Sequence, residues 1–361
     1  MRDKPPITRT FLKGRGALSN PESRFAHRTT ERVDDGWGTA EEPASRPPTQ
    51  LFPDLTREII TRNQSPDIPF EQSINPYKGC EHGCVYCFAR PTHAYLDLSP
   101  GLDFETKIFF KTGVVERLRE SLERPGYVCK VIALGANTDP YQPVEKDLKI
   151  TRRILETLLE YRHPVSVVTK GALVERDLDL LGEMASMGLA SVTVSLTTLD
   201  ARLKTILEPR AAAPQARLGM IRKIRAAGVP AAALMAPVIP CVNDAEIESV
   251  VAAAAEAGAS TVGYVMIRLP HELKTLFREW LDVHLPDRAE HVMSVIRDMR
   301  GGKDYDARFG IRQRGEGPYA ALVAKRFEVA RRRHGLDGKR LLPQRTDLFT
   351  SPDMARQLKL F

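Results

Sequence analysis

The sequence predicts an α/β fold, a partial (β/α)6 TIM-like barrel with an irregular N-terminal extension and a helical, basic C-terminal region. Three observations carry that expectation. Short β-rich runs alternate with amphipathic helical stretches from about residue 73 to about residue 266. The runs are apolar throughout rather than alternating, as strands of a parallel sheet covered by helices are. Six such units occur, two short of a closed eight-stranded barrel. With 361 residues there is chain enough for this core and for flanking regions.

In order along the chain, residues 1–65 are rich in Pro, Arg, Glu, Asp and Thr. They show little sustained hydrophobic period and read as an irregular extension, partly draped over the domain. The barrel is assigned to 66–270 and opens with SINPYKG. A polar helical stretch over 114–122 precedes YVCKVIAL, a buried strand by its β-branched content. Helical spacing over 147–161 leads to the strand VSVVTK, and 179–187 is helical again. SVTVSL is the fourth strand, followed by a helix over 215–227 that stops at Gly228 and Pro230. AAALMAPVI, alanine-rich as it is, reads as the fifth strand, 244–257 as a helix, and TVGYVMIRL as the last strand. Residues 271–334 form the helical C-terminal region, with helices over 273–283, 289–299 and 320–333, and 335–361 a tail.

Composition narrows the class. Apolar residues make up 42% and charged residues 27%, an ordinary globular balance. No apolar run approaches the roughly 18 residues of a membrane span, and the first residues lack the apolar core of a secretion signal. A cytoplasmic protein with no membrane partner is expected. The formal net charge is +7 and there are five cysteines. An odd count in such a chain is a poor disulfide framework.

Three of the five, Cys80, Cys84 and Cys87, form a C-x3-C-x2-C triplet directly after the first strand. Soft thiolates at this spacing can hold three irons of a [4Fe–4S] cluster and leave the fourth iron open. Gly79 and Gly83 let such a loop fold tightly. The competing readings are a Cys3His zinc site, with His82 or His93 as fourth ligand, and a redox C-x2-C pair. Ligands of parallel sheets bind at the carboxyl ends of the strands, so the residues after each strand are where chemistry is sought.

The triplet, with Tyr86 before its last cysteine and a six-fold βα series behind it, resembles the radical S-adenosylmethionine (SAM) superfamily. NPYKGCEHGCVYCFAR, TDPYQPVEK, VTKG, EPRAAAPQARL and APVIPCVND are similar to the spore photoproduct lyase-like, or DNA repair photolyase, group, in a little-characterised bacterial branch. The resemblance implies a [4Fe–4S] cluster on Cys80, Cys84 and Cys87. It implies reductive cleavage of SAM to methionine and a 5′-deoxyadenosyl radical, which takes hydrogen from a substrate, in this group a nucleic acid. Tyr86 would lie on the adenine, and Asn137, Thr138 and Asp139 would offer acceptors to the methionyl ammonium. Lys170, Ser195 and Ala236 match cofactor-contacting positions at the ends of the third, fourth and fifth strands, and Arg210 would fork onto a carboxylate. One departure stands out. Where a spore photoproduct lyase carries its hydrogen-donor cysteine, this chain has Ala136, so the chain is not expected to be a true spore photoproduct lyase. Cys241, at the end of the fifth strand, is the substitute donor candidate, with an auxiliary ligand and a plain buried thiol as the other readings, while Cys129 reads as a core thiol.

The positive charge is local. Between Arg308 and Arg345 eleven Lys or Arg face three Asp or Glu. Such a segment suits nucleic acid phosphates or an acidic reductant such as flavodoxin or ferredoxin. The end of the chain, Gln357-Leu358-Lys359-Leu360-Phe361, resembles peptides that bind the DNA sliding clamp. Two other functions stay open: a radical SAM enzyme acting on a protein or small molecule, and a nucleic-acid-binding protein whose cluster is structural or redox-sensing.

Overall fold

The computed structural model describes residues 14–25, 47–336, 341 and 344–350. Among the described residues ten strands form two sheets: β1 (Gln50–Asp54), β2 (Thr61–Arg62), β3 (Gln72–Ile74), β4 (Tyr77–Lys78), β5 (Lys107–Lys111), β6 (Ile132–Leu134), β7 (Val165–Thr169), β8 (Ala190–Ser195), β9 (Ala231–Val238) and β10 (Thr261–Met266). The larger sheet runs β10-β9-β8-β7-β6-β3-β2. Its six strands from β3 to β10 pair in parallel, and β2 joins the β3 edge antiparallel. Sequential order with helical crossovers is the open, partial barrel that six βα units make.

Between the strands lie the helices Val114–Leu122, Ile150–Glu160, Leu178–Ser186, Pro214–Ala226 and Ile247–Glu256. Each turns its apolar stripe to the sheet. The second buries Ile150, Ile154, Leu155 and Leu158, spaced for one helix face. These side chains and the strand residues form one continuous core. The alanine-rich run is the longest strand of all, at eight residues. Small side chains there let the covering helices approach closely.

Several expectations need correction. The run YVCKVIAL is a strand only from Ile132, where both neighbours, β3 and β7, begin to offer partners. Cys129 therefore lies outside the strand and is partly exposed rather than core. The N-terminal 65 residues are not wholly irregular. β1 pairs in parallel with β5, and β5 pairs antiparallel with β4, making a second, three-stranded sheet. Phe52 stacks on Phe109 across it, with ring centroids 5.1 Å apart. Pro53 and the exposure of β1 residues 50–53 hid this edge strand from a periodicity argument.

The C-terminal helices Leu273–His284, Ala289–Asp298 and Gly317–Arg333 fall where helical spacing placed them. The first two pack on Val85, Tyr86 and Leu207, so an apolar cluster runs unbroken across residue 270. Trp280 anchors it, donating from Nε1 to the carbonyl of Ile206 at 2.9 Å. Part of the expected tail is docked as well. Arg345 and Thr350 donate backbone N–H groups to the carbonyls of Gly188 and Tyr161, and Phe349 packs on His163 and Tyr127. Among the described residues no helix is long and apolar enough to cross a membrane.

Candidate active site

The cysteine loop follows β4 and is pinned from all sides. Cys80 N–H donates to the carbonyl of Phe104 at 2.9 Å and Val85 N–H to that of Leu207 at 3.0 Å. Arg90, fully buried, donates from Nε to the carbonyl of Cys84 and pairs with Glu105 at 2.5 Å. Glu105 also accepts the backbone N–H groups of Gly16 and Ala17, which ties the N-terminal extension to the loop. Gly79 and Gly83 take positive φ values of 82° and 67°. A Cβ on Gly83 would come within 2.7 Å of the Glu105 carboxylate, so no larger residue fits there.

The three thiols are free, and Cys80 and Cys84 are buried. They lie close enough to feel one another. Burial first, and then the neighbouring acids and cysteines, push Cys80 up and Cys84 up to about 12. Metal binding would replace those protons. Among the described residues no three His, Cys, Asp or Glu side chains converge as ligands of one metal ion. His82 faces Asp139 at 3.3 Å and His93 the Lys107 carbonyl at 3.0 Å.

Behind the thiols lies a buried network that sequence reasoning missed. Tyr86 donates its hydroxyl to Glu208 and lies 3.2 Å from Thr197 Oγ1. Glu208 is fully buried and pairs with Arg217, itself 1% exposed. Arg217 donates further to the carbonyls of Ala212 at 2.9 Å and Ser195 at 3.0 Å. Burial opposes the Glu208 charge, yet Arg217, Lys170 and the Tyr86 hydroxyl hold its carboxyl down to about 2. Arg217, seven residues beyond Arg210 in the same EPRAAAPQARL run, thus meets Glu208 through a single nitrogen and spends the other two on backbone carbonyls. Arg210 instead grips Glu81 of the cysteine loop at 2.9 Å. Asn243 is a second missed residue. It bonds the carbonyls of Thr197 and Pro237 and the N–H of Ile239, knotting the ends of β8 and β9 together.

The other expected site residues divide clearly. Asp139 is saturated. It accepts from Tyr141 N–H, Thr169 Oγ1 and Lys170 N–H and faces His82, which together outweigh burial and carry its carboxyl down to about 2. Thr138 donates its hydroxyl to the Tyr77 carbonyl. Both therefore shape the turn after β6 rather than present spare acceptors. Asn137 bonds through its backbone N–H to Asn75, and its side chain has no partner among the described residues. Lys170 holds its ammonium 5.8 Å from the Tyr86 ring centroid. Ser195, at the end of β8, is buried with its Oγ unpartnered. Ala236 contributes a carbonyl to Thr197 and precedes a cis proline. Cys241 is partly buried and packs on the same apolar cluster as Cys84 and Tyr86, with Arg288 on its carbonyl and Asp244 beside its thiol.

The carboxyl ends of the strands thus gather three thiols, an aromatic ring, an ammonium, an unpartnered hydroxyl and an unpartnered amide. A buried polar atom left without a partner costs free energy unless a ligand satisfies it, and Ser195 Oγ is such an atom. A family model described as the radical SAM superfamily matches residues 74–254, which hold all of these groups. The chain belongs to the radical SAM superfamily. Its relatives include an uncharacterized protein of Mycobacterium tuberculosis, 41% identical over 232 residues, or 64% of this chain and 68% of that one. An uncharacterized protein of Methanocaldococcus jannaschii is 29% identical over 176 residues, covering 48% of this chain and 62% of the relative. Among solved structures, a spore photoproduct lyase mutant superposes with a TM-score of 0.57 at 16% identity, covering 79% of this chain and 80% of the other. A spore photoproduct lyase complexed with dinucleoside spore photoproduct gives 0.55 at 14% identity over 79% of each chain. At these identities the likeness shows the fold.

As a radical SAM enzyme the protein binds a [4Fe–4S] cluster and S-adenosylmethionine. Bound together, they supply the reductive cleavage of SAM to methionine and a 5′-deoxyadenosyl radical. The chain's own residues hold and shield that chemistry. Cys80, Cys84 and Cys87 would carry the cluster. Asn137 and Ser195 offer the polar atoms left over by the fold, and Lys170 a cation suited to a carboxylate. The Glu208–Arg217 pair fixes Tyr86, and the helices of 273–298 seal the loop's apolar flank from water.

Elsewhere, the basic segment is partly neutralised. Arg308 pairs with Asp306 and Glu316, Arg312 with Asp67, and Arg326 with Glu248. Lys325 and Arg332 share Glu328, and Arg345 meets Asp347. Residues 357–361, the expected clamp-binding peptide, lie outside the described residues.

Proposed function

We propose that this radical SAM enzyme removes a hydrogen atom from a nucleic acid strand, with a lyase-type, DNA repair photolyase-like outcome. The observation that carries the reading is the fold shared over 79% of the chain with a lyase that takes a dinucleoside photoproduct. Ala136 after β6 separates this chain from direct thymine-photoproduct repair, because no thiol stands there. Cys241 is the donor we assign. Its S–H would give a hydrogen atom to the substrate-derived radical, and the resulting thiyl would take an electron and a proton back. A flavodoxin or ferredoxin would supply that electron.

Deuterium tracing tests the reading. Anaerobic, dithionite-reduced protein is mixed with SAM and perdeuterated DNA or RNA, and 5′-deoxyadenosine is weighed by mass spectrometry. Deuterium gained from either nucleic acid is expected. Label arriving only from peptide or metabolite pools would move the substrate to those classes. For the donor, Cys241→Ala should leave label transfer to 5′-deoxyadenosine intact while product yield drops at least tenfold; an unchanged yield removes Cys241 from that role.

A further inference from the structure

Beyond the strand ends lies a cavity of about 570 Å³ whose walls begin at Leu269, three residues after β10. Four cationic side chains line it, Lys274, Arg278, Arg297 and Lys303, with Asp304 the one carboxylate and Tyr305 a hydroxyl. Asp304 lies 3.1 Å from Arg278 and 3.8 Å from Arg297, and Arg297 also approaches Glu290 at 3.7 Å. The ammonium groups of Lys274 and Lys303 make no hydrogen bond or ion pair among the described residues. In the 308–345 segment, by contrast, acids from outside it meet Arg308, Arg312, Arg326 and Arg345.

The cavity adjoins the cluster loop. Arg268, one residue before its wall, lays its guanidinium over the Phe88 ring at 4.2 Å, and Phe88 directly follows Cys87. Phe88 is 42% exposed. An excess of unpaired cations beside an exposed aromatic is the combination that tracks single-stranded nucleic acid, phosphates on the charges and bases on the rings. A compact carboxylate substrate would need one cation; a lining of four cations against one carboxylate, with Lys274 and Lys303 unpaired, suits more than one phosphate.

We propose that the cavity after β10 binds the phosphodiester backbone of a single strand and delivers the adjoining nucleotide past Phe88 to the radical site. The inference rests on the nucleic acid reading above and moves its binding surface from the C-terminal segment to residues 269–305.

Fluorescence anisotropy of the full chain tests it, with a fluorescein-labelled oligothymidylate and an oligouridylate of about ten nucleotides, titrated across sodium chloride concentrations. Lys274→Glu with Lys303→Glu should weaken binding at least tenfold and flatten the slope of log K against log salt by about 1.4 or more. Both side chains are exposed, and circular dichroism checks that the fold is kept. Lys325→Glu with Arg333→Glu, in the basic helix, should change affinity less than twofold. If the cavity variant binds as wild type does while the helix variant fails, the cavity assignment falls and the nucleic acid reading stands. If wild type ignores both oligonucleotides yet binds polyglutamate, both readings fall in favour of an acidic protein partner.

Discussion

Charge is handled in opposite ways at the strand ends and on the C-terminal helix. At the strand ends Glu208 and Arg217 meet fully buried, and each also holds a neighbour in place, Tyr86 on one side and the Ser195 carbonyl on the other. On the helix Gly317–Arg333, Lys325, Arg326 and Arg332 reach acids that remain solvated. The chemistry of the pairs is the same, but their consequences differ. A buried pair is costly to assemble and costlier to halve, so it specifies geometry. A solvated pair cancels charge and contributes little else. Composition registered the helix as the charged feature, whereas the ion pair that shapes the site left no trace in net charge.

The largest effect expected is at the cluster itself. Cys84→Ala should reduce iron from about four per chain to near background after anaerobic reconstitution, and abolish 5′-deoxyadenosine formation. Iron and sulfide analysis with chromatography of the nucleoside checks both. Retained SAM cleavage would mean that the triplet is not the ligand set.

Next in size is the buried pair. Arg217→Ala leaves Glu208 charged and unpaired, and should cost about 3–5 kcal/mol in urea denaturation. The double substitution Glu208→Gln with Arg217→Met should recover much of that stability, since the amide oxygen can still accept from the Tyr86 hydroxyl. A single variant as stable as wild type would break the contrast between the two regions.

His163 extends the comparison to a buried group kept neutral. It lies at the start of β7, bonded to Tyr127 and covered by Phe349, and burial carries its imidazole down to about 4. In the unfolded chain it titrates at the ordinary 6.5. Below that value the unfolded state takes the proton and the folded state does not. The stability this group contributes is therefore complete above pH 6.5 and is lost progressively as pH falls to about 4, by about 3 kcal/mol in all. His163→Phe should flatten that part of the stability profile. An unchanged slope would place the acid sensitivity elsewhere.

What the sequence disclosed follows from the range of each signal. The parallel strands from β7 to β10 and their helices were legible to within a few residues, because apolar runs and helical spacing are local. The cysteine triplet was legible for the same reason. β1, β5 and the pairs Arg90–Glu105 and Tyr86–Glu208 were not, since their partners lie 15 to 122 residues apart and no local period marks them. Asp139 shows a subtler limit. Its acceptors suited an ammonium on paper, but the turn it closes consumes them all.

The smallest effect expected is at the helix. Arg326 reaches Glu248 at 2.5 Å with 27% and 42% of the two side chains exposed. Such a pair loses to water much of what it gains, so Arg326→Ala should cost under about 1 kcal/mol and lose even that at high salt. The helix itself is held by Phe327 stacked on Tyr264, with centroids 4.2 Å apart, not by its ion pairs. Phe327→Ala, by contrast, should cost about 3 kcal/mol. If the arginine proved the costlier of the two in urea denaturation, the charges of 308–345 would be structural after all, and their pairing would no longer be the neutralisation that leaves the cavity after β10 as the cationic surface.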